Sequence, residues 1–322
     1  MNLIRFAVTG MVMAALPYAG LAQQNYPNRT IRMIVPFPAG GVADVLGRMT
    51  AQKLSAQYGQ QMVVENRGGS GGHLGAEVAA RATPDGYTIM FGTIGIHAAY
   101  GIYTRLSYDP SRDLQPVILL ADLPNILVVH PSVPVKTTKE FIALAKAKPG
   151  QINYASSGIG SPGHLAAVLF ESMAKIQITH IPYKGGGPAM IDLVGGQVQL
   201  VFATAASAIP QIKSGRIKGI AVTTLKRSAL MLELPTIAES GLAGYDANNW
   251  YGVMVPAKTP RAIVMRLNKE IIKVLAMPDV KSILFSQGLD PAPTTPEAFG
   301  TYIKIERTKW AKVIKTAGIK AE

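Results

Sequence analysis

The sequence contains no cysteine among its 322 residues. This absence excludes disulfide bonds, thiolate metal sites, a cysteine nucleophile and a lipid-modified cysteine after a signal sequence. Histidine is also scarce, and no two histidines have the close spacing of a metal-binding pair. We therefore expect no metal site, no cofactor and no lipoprotein. The five histidines are His73, His97, His130, His164 and His180.

Long apolar runs are rare, and the one at residues 6–21 follows a single positive charge at Arg5. This run is too short and too interrupted for a membrane span of about 20 residues. Small residues at Gly20 and Ala22 precede Gln23, as a signal-peptide cleavage site requires. We predict a cleavable signal peptide at residues 1–22 and an exported, periplasmic protein, with an uncleaved anchor as the alternative.

Acidic residues are few: 19 Asp and Glu stand against 32 Lys and Arg, and the net charge is +13. Such an excess is typical of nucleic-acid-binding proteins. The basic residues are nevertheless scattered, without a basic run or interleaved aromatic residues. We expect no nucleic-acid partner, and interpret the charge either as a solvated surface or as a long-range attraction for small anions.

The stretch 31–50 combines a predicted strand, a rigid loop and a helix. Residues 31–35 are apolar and β-branched, which indicates a buried strand. Prolines and glycines at 36–41 then interrupt it, and apolar residues recur at helical spacing from Val42 onward. A helix start carries unpaired N–H groups and roughly half a positive charge. The sequence therefore predicts an anion site here.

Strands alternate with helices in two series, at residues 31–91 and 152–223, which predicts an α/β fold with helices on both faces of parallel sheets. Extended segments near 123–129 and 246–255 join the two series, and residues 92–101 are interpreted as a loop. The simplest arrangement is two domains linked by two crossing strands. Ligands of such sheets bind at the carboxyl ends of strands, so a cleft between the domains is expected.

Two glycine motifs are typical of enzymes. Residues 158–163 match G-x-G-x-x-G, which is typical of dinucleotide-binding sites. The next strand, however, ends at Tyr183-Lys184 and not at the acid that binds the ribose of the dinucleotide. Residues 68–72 match G-x-S-x-G around Ser70, which is typical of serine hydrolases. In a tract so rich in glycine the match has little weight, and no histidine follows His180.

Polar side chains near the predicted strand ends have two readings. In the first, Ser161 caps a helix, His164 packs in its first turn and Lys184 is solvated. In the second, some of Ser156, Ser157, His164 and Lys184 bind an anionic ligand. Asp44 and Arg48 are spaced as a helix-surface ion pair. We favour a supporting role for Asp44, in which its carboxylate accepts N–H groups of the loop and holds it rigid.

Several motifs together resemble the solute-binding receptors of tripartite tricarboxylate transporters, the Bug family. The resemblance extends in order over essentially the whole mature chain. It rests on Y-P-N-R-T-I-R-M-I-V-P-F-P-A-G-G-V-A-D-V-L-G-R, V-E-N-R-G-G-S-G-G, P-D-G-Y-T, I-P-Y-K-G-G-G-P-A-M-I-D-L-V-G-G-Q-V, L-P-T-I-A-E-S-G and W-Y-G-V-M-V-P-A-K-T-P.

The resemblance implies a periplasmic-binding-protein-like fold with mixed or parallel sheets. It also implies a receptor, not an enzyme, that closes over a small organic carboxylate and delivers it to a membrane permease with a large and a small subunit. We expect a monomer, with domain one at residues 23–124 and 247–322 and domain two at 125–246. The ligand-binding residues that the resemblance implies are Phe37, Ala39, Gly40, Gly41, Asp44, Ser156, Ser157, His164, Tyr183, Lys184 and Thr204.

Four positions depart from the family pattern. Ala43 and Gly163 stand where hydroxyl residues are common, and Gln199 and Ala203 stand where acids are frequent. The lost acid at 203 argues against a ligand with an amino group and favours an aromatic or longer aliphatic carboxylate. Two rival functions stay open at this point: an exported hydrolase using Ser70, and a sensor subunit that binds the same ligand for a signalling partner.

Overall fold

The computed structural model describes residues 26–103, 106–228 and 231–319. The predicted signal peptide at residues 1–22 lies outside these ranges. Within them, no helix combines the length and the apolarity that crossing a bilayer requires. The strands are β1 (Ile31–Val35), β2 (Met62–Asn66), β3 (Thr88–Thr93), β4 (Leu114–Leu123), β5 (Asn125–Val129), β6 (Asn153–Ser156), β7 (Thr179–Pro182), β8 (Leu200–Thr204), β9 (Lys218–Val222), β10 (Asn249–Pro256) and β11 (Asp290–Pro291).

Helices connect most of these strands. They are α1 (Val42–Tyr58), α2 (His73–Ala80), α3 (Ile94–Ala98), α4 (Pro110–Asp113), α5 (Thr138–Ala147), α6 (Pro162–Ala174), α7 (Gly186–Val194), α8 (Ala205–Lys213), α9 (Arg261–Ala276), α10 (Pro278–Ser286) and α11 (Pro296–Ala317).

The strands form two sheets. The first sheet has the order β11-β4-β10-β3-β1-β2, and the second has the order β7-β6-β8-β5-β9. In the first sheet β1 pairs in parallel with β2 and β3, whereas β10 runs antiparallel to β3 and β4. In the second, β6 is parallel to β7 and β8, and β5 is antiparallel to β8 and β9. Both sheets are therefore mixed, and β5 and β10 each follow directly on a connection between the sheets.

The chain passes between the sheets on neighbouring segments. Strand β4 of the first sheet leads through Pro124 directly into β5 of the second, and the chain returns between β9 and β10. The backbones of Asn125 and Thr223 are joined by a 2.9 Å hydrogen bond, and Ala247 donates to the Thr223 carbonyl at 2.9 Å. The predicted crossing segments thus lie side by side. The domain boundaries at 124/125 and 246/247 stay a prediction.

The interpretation of residues 92–101 as a loop is wrong. Gly92 and Thr93 complete β3, α3 follows at once, and a 3-10 turn extends from Ala99 to Ile102. Isolated propensity did not indicate a helix, because Gly95 and the β-branched isoleucines are poor helix formers. Burial decides instead, since every residue from Ile94 to Ala98 is buried.

The C-terminal helix α11 packs against β4 and α3, and also against α6 beside the second sheet. Its predicted apolar stripe is buried at Phe299, Ile303, Trp310 and Ile314, while Val313 is half-buried. One buried residue of the helix is charged: the Glu306 carboxylate accepts the indole N–H of Trp310 at 2.9 Å. This helix therefore packs against elements of both halves of the molecule.

Candidate functional site

The parallel strands bring the predicted site residues to two sheet edges. Strands β1, β2 and β3 end at the same edge of the first sheet, where Phe37, Asn66 and Thr93 lie. Strands β6, β7 and β8 end at one edge of the second sheet, where Ser156, Tyr183 and Thr204 lie. Carboxyl ends of parallel strands are the usual location of ligand sites in α/β sheets.

The loop between β1 and α1 leaves backbone donors without partners. Gly40 has a φ of +87°, and Gly41 is the N-cap of α1 without a side-chain capping hydrogen bond. In the described part of the chain, no hydrogen bond engages the N–H groups of Gly41, Val42 or Ala43. These donors lie at the positive end of a 17-residue helix, where they can bind an anion.

The side chain of Asp44 stabilises this loop through hydrogen bonds. Its buried carboxylate accepts the Gly40 N–H at 3.0 Å, the Arg48 guanidinium at 3.0 Å and the Asn66 side-chain amide at 2.9 Å. The same Asn66 amide donates to the Phe37 carbonyl at 3.0 Å. The structure shows the arrangement that a supporting role for Asp44 requires, because these contacts use both carboxylate oxygens.

The charge of Asp44 is compensated locally. Burial alone would raise the pKa of this carboxyl, but the hydrogen bonds from Arg48, Gly40 and Asn66 outweigh burial and lower the pKa below its usual value. The group is therefore ionised at neutral pH, and Arg48 balances its charge. An anion at the helix start consequently meets a neutral pair and not a bare carboxylate.

At the edge of the second sheet, Ser156 and His164 lie at the two ends of one loop. Ser156 is buried, and its hydroxyl lies 2.7 Å from Nε2 of His180 on the neighbouring strand. His164, in the first turn of α6, accepts the Gly160 N–H at Nδ1 over 3.0 Å. Ser161 caps the helix by accepting the His164 N–H. Ser157 lies exposed between them.

The other predicted residues of this edge are more open. Tyr183 is half-buried and its hydroxyl donates to Asp192 at 2.5 Å, which raises the pKa of Tyr183. Lys184 is exposed. Thr204 is half-buried at the N-cap position of α8, and its hydroxyl lies 3.0 Å from that of Ser207.

The two edges meet through the glycine loops. The hydroxyl of Tyr103 donates to the Ile159 carbonyl at 3.1 Å. A Cβ on Gly95 would lie 3.3 Å from the Gly160 carbonyl, and one on Gly72 would lie 3.3 Å from the Phe37 ring. Loop 158–160 of the second sheet therefore contacts segments that adjoin the Phe37 loop. The structure brings the first loop and the Ser156–His164 loop into one region.

The chain matches a known family of receptors over most of its length. The protein-family model described as "Tripartite tricarboxylate transporter family receptor" matches residues 46–319. The chain belongs to this receptor family. Receptors of the family are periplasmic solute-binding proteins.

Solved structures of receptors of this family share the fold. Rpa4515 of R. palustris, solved with adipate, is 39% identical with a TM-score of 0.85, over 92% of this chain and 99% of that one. The periplasmic binding protein BugD is 35% identical with a TM-score of 0.83, over 92% and 100%. MatC (Rpa3494) from Rhodopseudomonas palustris, with bound malate, is 31% identical with a TM-score of 0.82, over 90% and 100%. The predicted fold class is confirmed.

Gly163 lies where helix α6 makes a close backbone contact with β8. A Cβ at this position would lie 2.6 Å from the backbone carbonyl oxygen of Phe202 in β8. No rotamer relieves such a contact, because the backbone fixes the position of the Cβ and the oxygen is itself a backbone atom. Helix α6 thus packs closer to β8 than a serine at 163 would permit.

Replacement of Gly163 by serine is expected to push α6 and its first-turn His164 away from β8. We expect the free energy of unfolding to fall by about 1–3 kcal/mol, as for overpacked cores, and ligand affinity to fall with it. Urea denaturation measures the first effect. Gly101→Ser is the control, because a Cβ there meets open space. Equal midpoints for the two variants would contradict the steric explanation.

The residues of the hydrolase hypothesis occupy a different setting. Ser70 is exposed and begins a 3-10 turn with a φ of +47°. His73, three residues on, bonds through Nδ1 to the Tyr108 hydroxyl at 2.8 Å. Within the described ranges no hydrogen bond joins Ser70 to a histidine. Among the described residues, the serine is therefore not paired with a histidine as a nucleophile–base couple requires.

Sequence reasoning overlooked two residues of the site. Asn66 ends the strand beside β1, and that adjacency is the signal that could have placed it at the edge. His180 lies on β7, is half-buried and bonds to Ser156. No local pattern revealed this contact, because it joins residues 24 positions apart.

Proposed function

We propose that this receptor binds a small organic carboxylate between its two sheets and delivers it to a membrane permease with a large and a small subunit. The unpaired N–H groups at the start of α1 carry the proposal. They form a donor set for one carboxylate group, and no charged side chain is needed to complete it. The ligands of two solved relatives, adipate and malate, support the same class.

The binding energy cannot come from the helix charge alone. That interaction contributes about 0.3–1 kcal/mol when exposed to solvent, whereas micromolar affinity corresponds to about 8 kcal/mol. Enclosure by the second sheet and several N–H bonds therefore supply most of it. We infer that the ligand docks on the Phe37 loop and that Ser156, Ser157, His164, Tyr183, Lys184 and Thr204 close over it. Hinge closure of this kind is general among periplasmic binding proteins.

A thermal-shift screen tests the ligand class. We expect at least one mono- or dicarboxylate to raise the melting temperature of the mature protein, since a ligand at 100 times its Kd stabilises the folded state by about 2.7 kcal/mol. The neutral diamide of the same carbon skeleton is the matched control and is expected to give no shift. Amino-substituted analogues are expected to bind more weakly, because Ala203 supplies no counter-charge. A broad carboxylate panel without any shift would contradict the proposal.

A further inference from the structure

Three aromatic rings form a continuous stack behind the Ser156–His164 loop. His180 is the middle ring: its centroid lies 4.7 Å from that of Tyr154 and 4.2 Å from that of His164, with interplanar angles of 18° and 14°. Tyr154 and His180 are direct partners in the parallel pairing of β6 and β7. The stack therefore joins both strands to the first turn of α6.

The hydrogen bonds of Ser156 favour a proton on Nε2 of His180. The hydroxyl oxygen accepts the Gly158 N–H at 3.1 Å, lies 3.1 Å from the Gly158 carbonyl and lies 2.7 Å from Nε2 of His180. A hydroxyl has one proton to donate. If that proton goes to the Gly158 carbonyl, all three contacts are satisfied only when His180 donates from Nε2.

His164 has the same tautomer for a different reason. Its Nδ1 accepts the Gly160 N–H, so a neutral ring carries its proton on Nε2. Both rings are neutral at pH 7, because burial lowers the pKa of His164 to about 3 and that of His180 to about 4. The His164 Nε2–H is thus a neutral donor at the edge of the second sheet, and its direction depends on the ring stacked against it.

We propose that His180 is a positioning residue of the ligand site: its Nε2–H orients the Ser156 hydroxyl, and its ring holds the His164 imidazole in place as a donor for the ligand. The inference rests on the proposed function for the identity of the ligand. It assigns His180 a role at both ends of loop 157–161, the segment that contacts the first sheet through Ile159 and Gly160.

Imidazole nitrogen chemical shifts test the geometry without any ligand. Long-range ¹H–¹⁵N spectra of the ligand-free protein at pH 7 are expected to show His164 and His180 both protonated at Nε2. A His180 protonated at Nδ1 would overturn the proposal. Since this measurement needs no ligand, it decides even if no carboxylate of the panel binds, which would be a failure of the proposed function alone.

Two variants separate the hydrogen bond from the ring. His180→Phe retains an aromatic ring in the stack but loses the donor to Ser156, and His180→Gln retains an N–H donor but loses the ring. With adipate as the probe in titration calorimetry, we expect His180→Phe to bind about tenfold more weakly, because a buried hydroxyl loses one of its partners. His180→Gln is expected to recover part of this loss.

His130→Phe is the matched control. His130 is half-buried and follows β5 at the end of the second sheet away from Thr204. The control variant is expected to bind adipate like the wild type. Wild-type affinity in His180→Phe, or an equal loss in His130→Phe, would overturn the role of His180. If His180→Phe does not fold, the adipate affinity of His180→Gln and the nitrogen chemical shifts of the wild type still test the role of His180.

Discussion

Valine in place of Gly40 is expected to abolish carboxylate binding, with at least about a 100-fold loss of affinity, while the protein stays folded. Gly40 has a φ of +87°, a conformation that costs a β-branched residue about 1–3 kcal/mol. The side chain itself meets no neighbour within 4 Å, so the strain is confined to the loop. A loop that relaxes to negative φ withdraws the Gly40 N–H from Asp44 and displaces the donors that follow.

Gly59→Val is the matched control for this prediction. Gly59 caps the other end of α1 with a φ of +63°, and it also has open space around it. The two variants therefore carry comparable backbone strain at opposite ends of a helix about 26 Å long. Calorimetry should find ligand binding lost in Gly40→Val and kept in Gly59→Val. Wild-type affinity in Gly40→Val would remove the Phe37 loop from the site.

Acidification from pH 7 to pH 5 is expected to destabilise the protein strongly, before most carboxylates are protonated. Burial lowers the pKa of His97 and His164 to about 3 and of His73 and His180 to about 4. In the unfolded chain these groups titrate near 6.5. The unfolded state therefore binds more protons in this window, and the free energy of unfolding falls as the pH decreases from about 6.5 toward these values.

The expected size follows from His97, which is 3% exposed. Each pH unit within the window costs roughly 1.4 kcal/mol per group, so His97 alone accounts for about 2 kcal/mol at pH 5. Its Nε2 lies 3.2 Å from the Met254 sulfur, and its Nδ1 has no partner among the described residues, so an added proton would be buried without compensation. The total free energy of unfolding of a typical protein is only about 5–15 kcal/mol.

Urea denaturation at pH 7, 6 and 5 measures this slope. The His97→Leu variant should show a pH dependence smaller by about 1.4 kcal/mol per unit, because it removes one of the buried groups while preserving an apolar side chain. An unfolding free energy that is constant between pH 7 and pH 5 would show that these histidines are accessible to solvent. The predicted loss of stability is relevant to ligand binding, because two of the four histidines, His164 and His180, lie at the edge of the second sheet that lines the candidate site.

The sequence was sufficient for the strand–loop–helix unit at residues 31–50 and for the two α/β series, because apolar periodicity and glycine or proline breaks are local signals. It was insufficient for α3, where tertiary burial of residues 94–98 overrides weak helix propensity. The sequence also did not predict that β10 pairs antiparallel between β3 and β4, because those strands are more than 100 positions from β10.

For the candidate site, the sequence and the family resemblance predicted residues that lie at the two sheet edges, but they did not predict the contacts within those edges. Asp44 was placed at the loop, yet its bond to Asn66 joins residues 22 positions apart. The stack of Tyr154, His180 and His164 likewise depends on strand pairing and on the close packing of α6 that Gly163 permits. Such contacts follow from the three-dimensional register and have no signature in local composition.

A crystal structure of the mature protein with the carboxylate that gives the largest thermal shift tests the central claim most directly. The account predicts a carboxylate group within about 3.2 Å of the N–H groups of Gly41, Val42 or Ala43. It also predicts that the ligand is covered by the Ser156–His164 loop of the second sheet. A ligand bound away from the Phe37 loop, with these N–H groups facing only water, would contradict it.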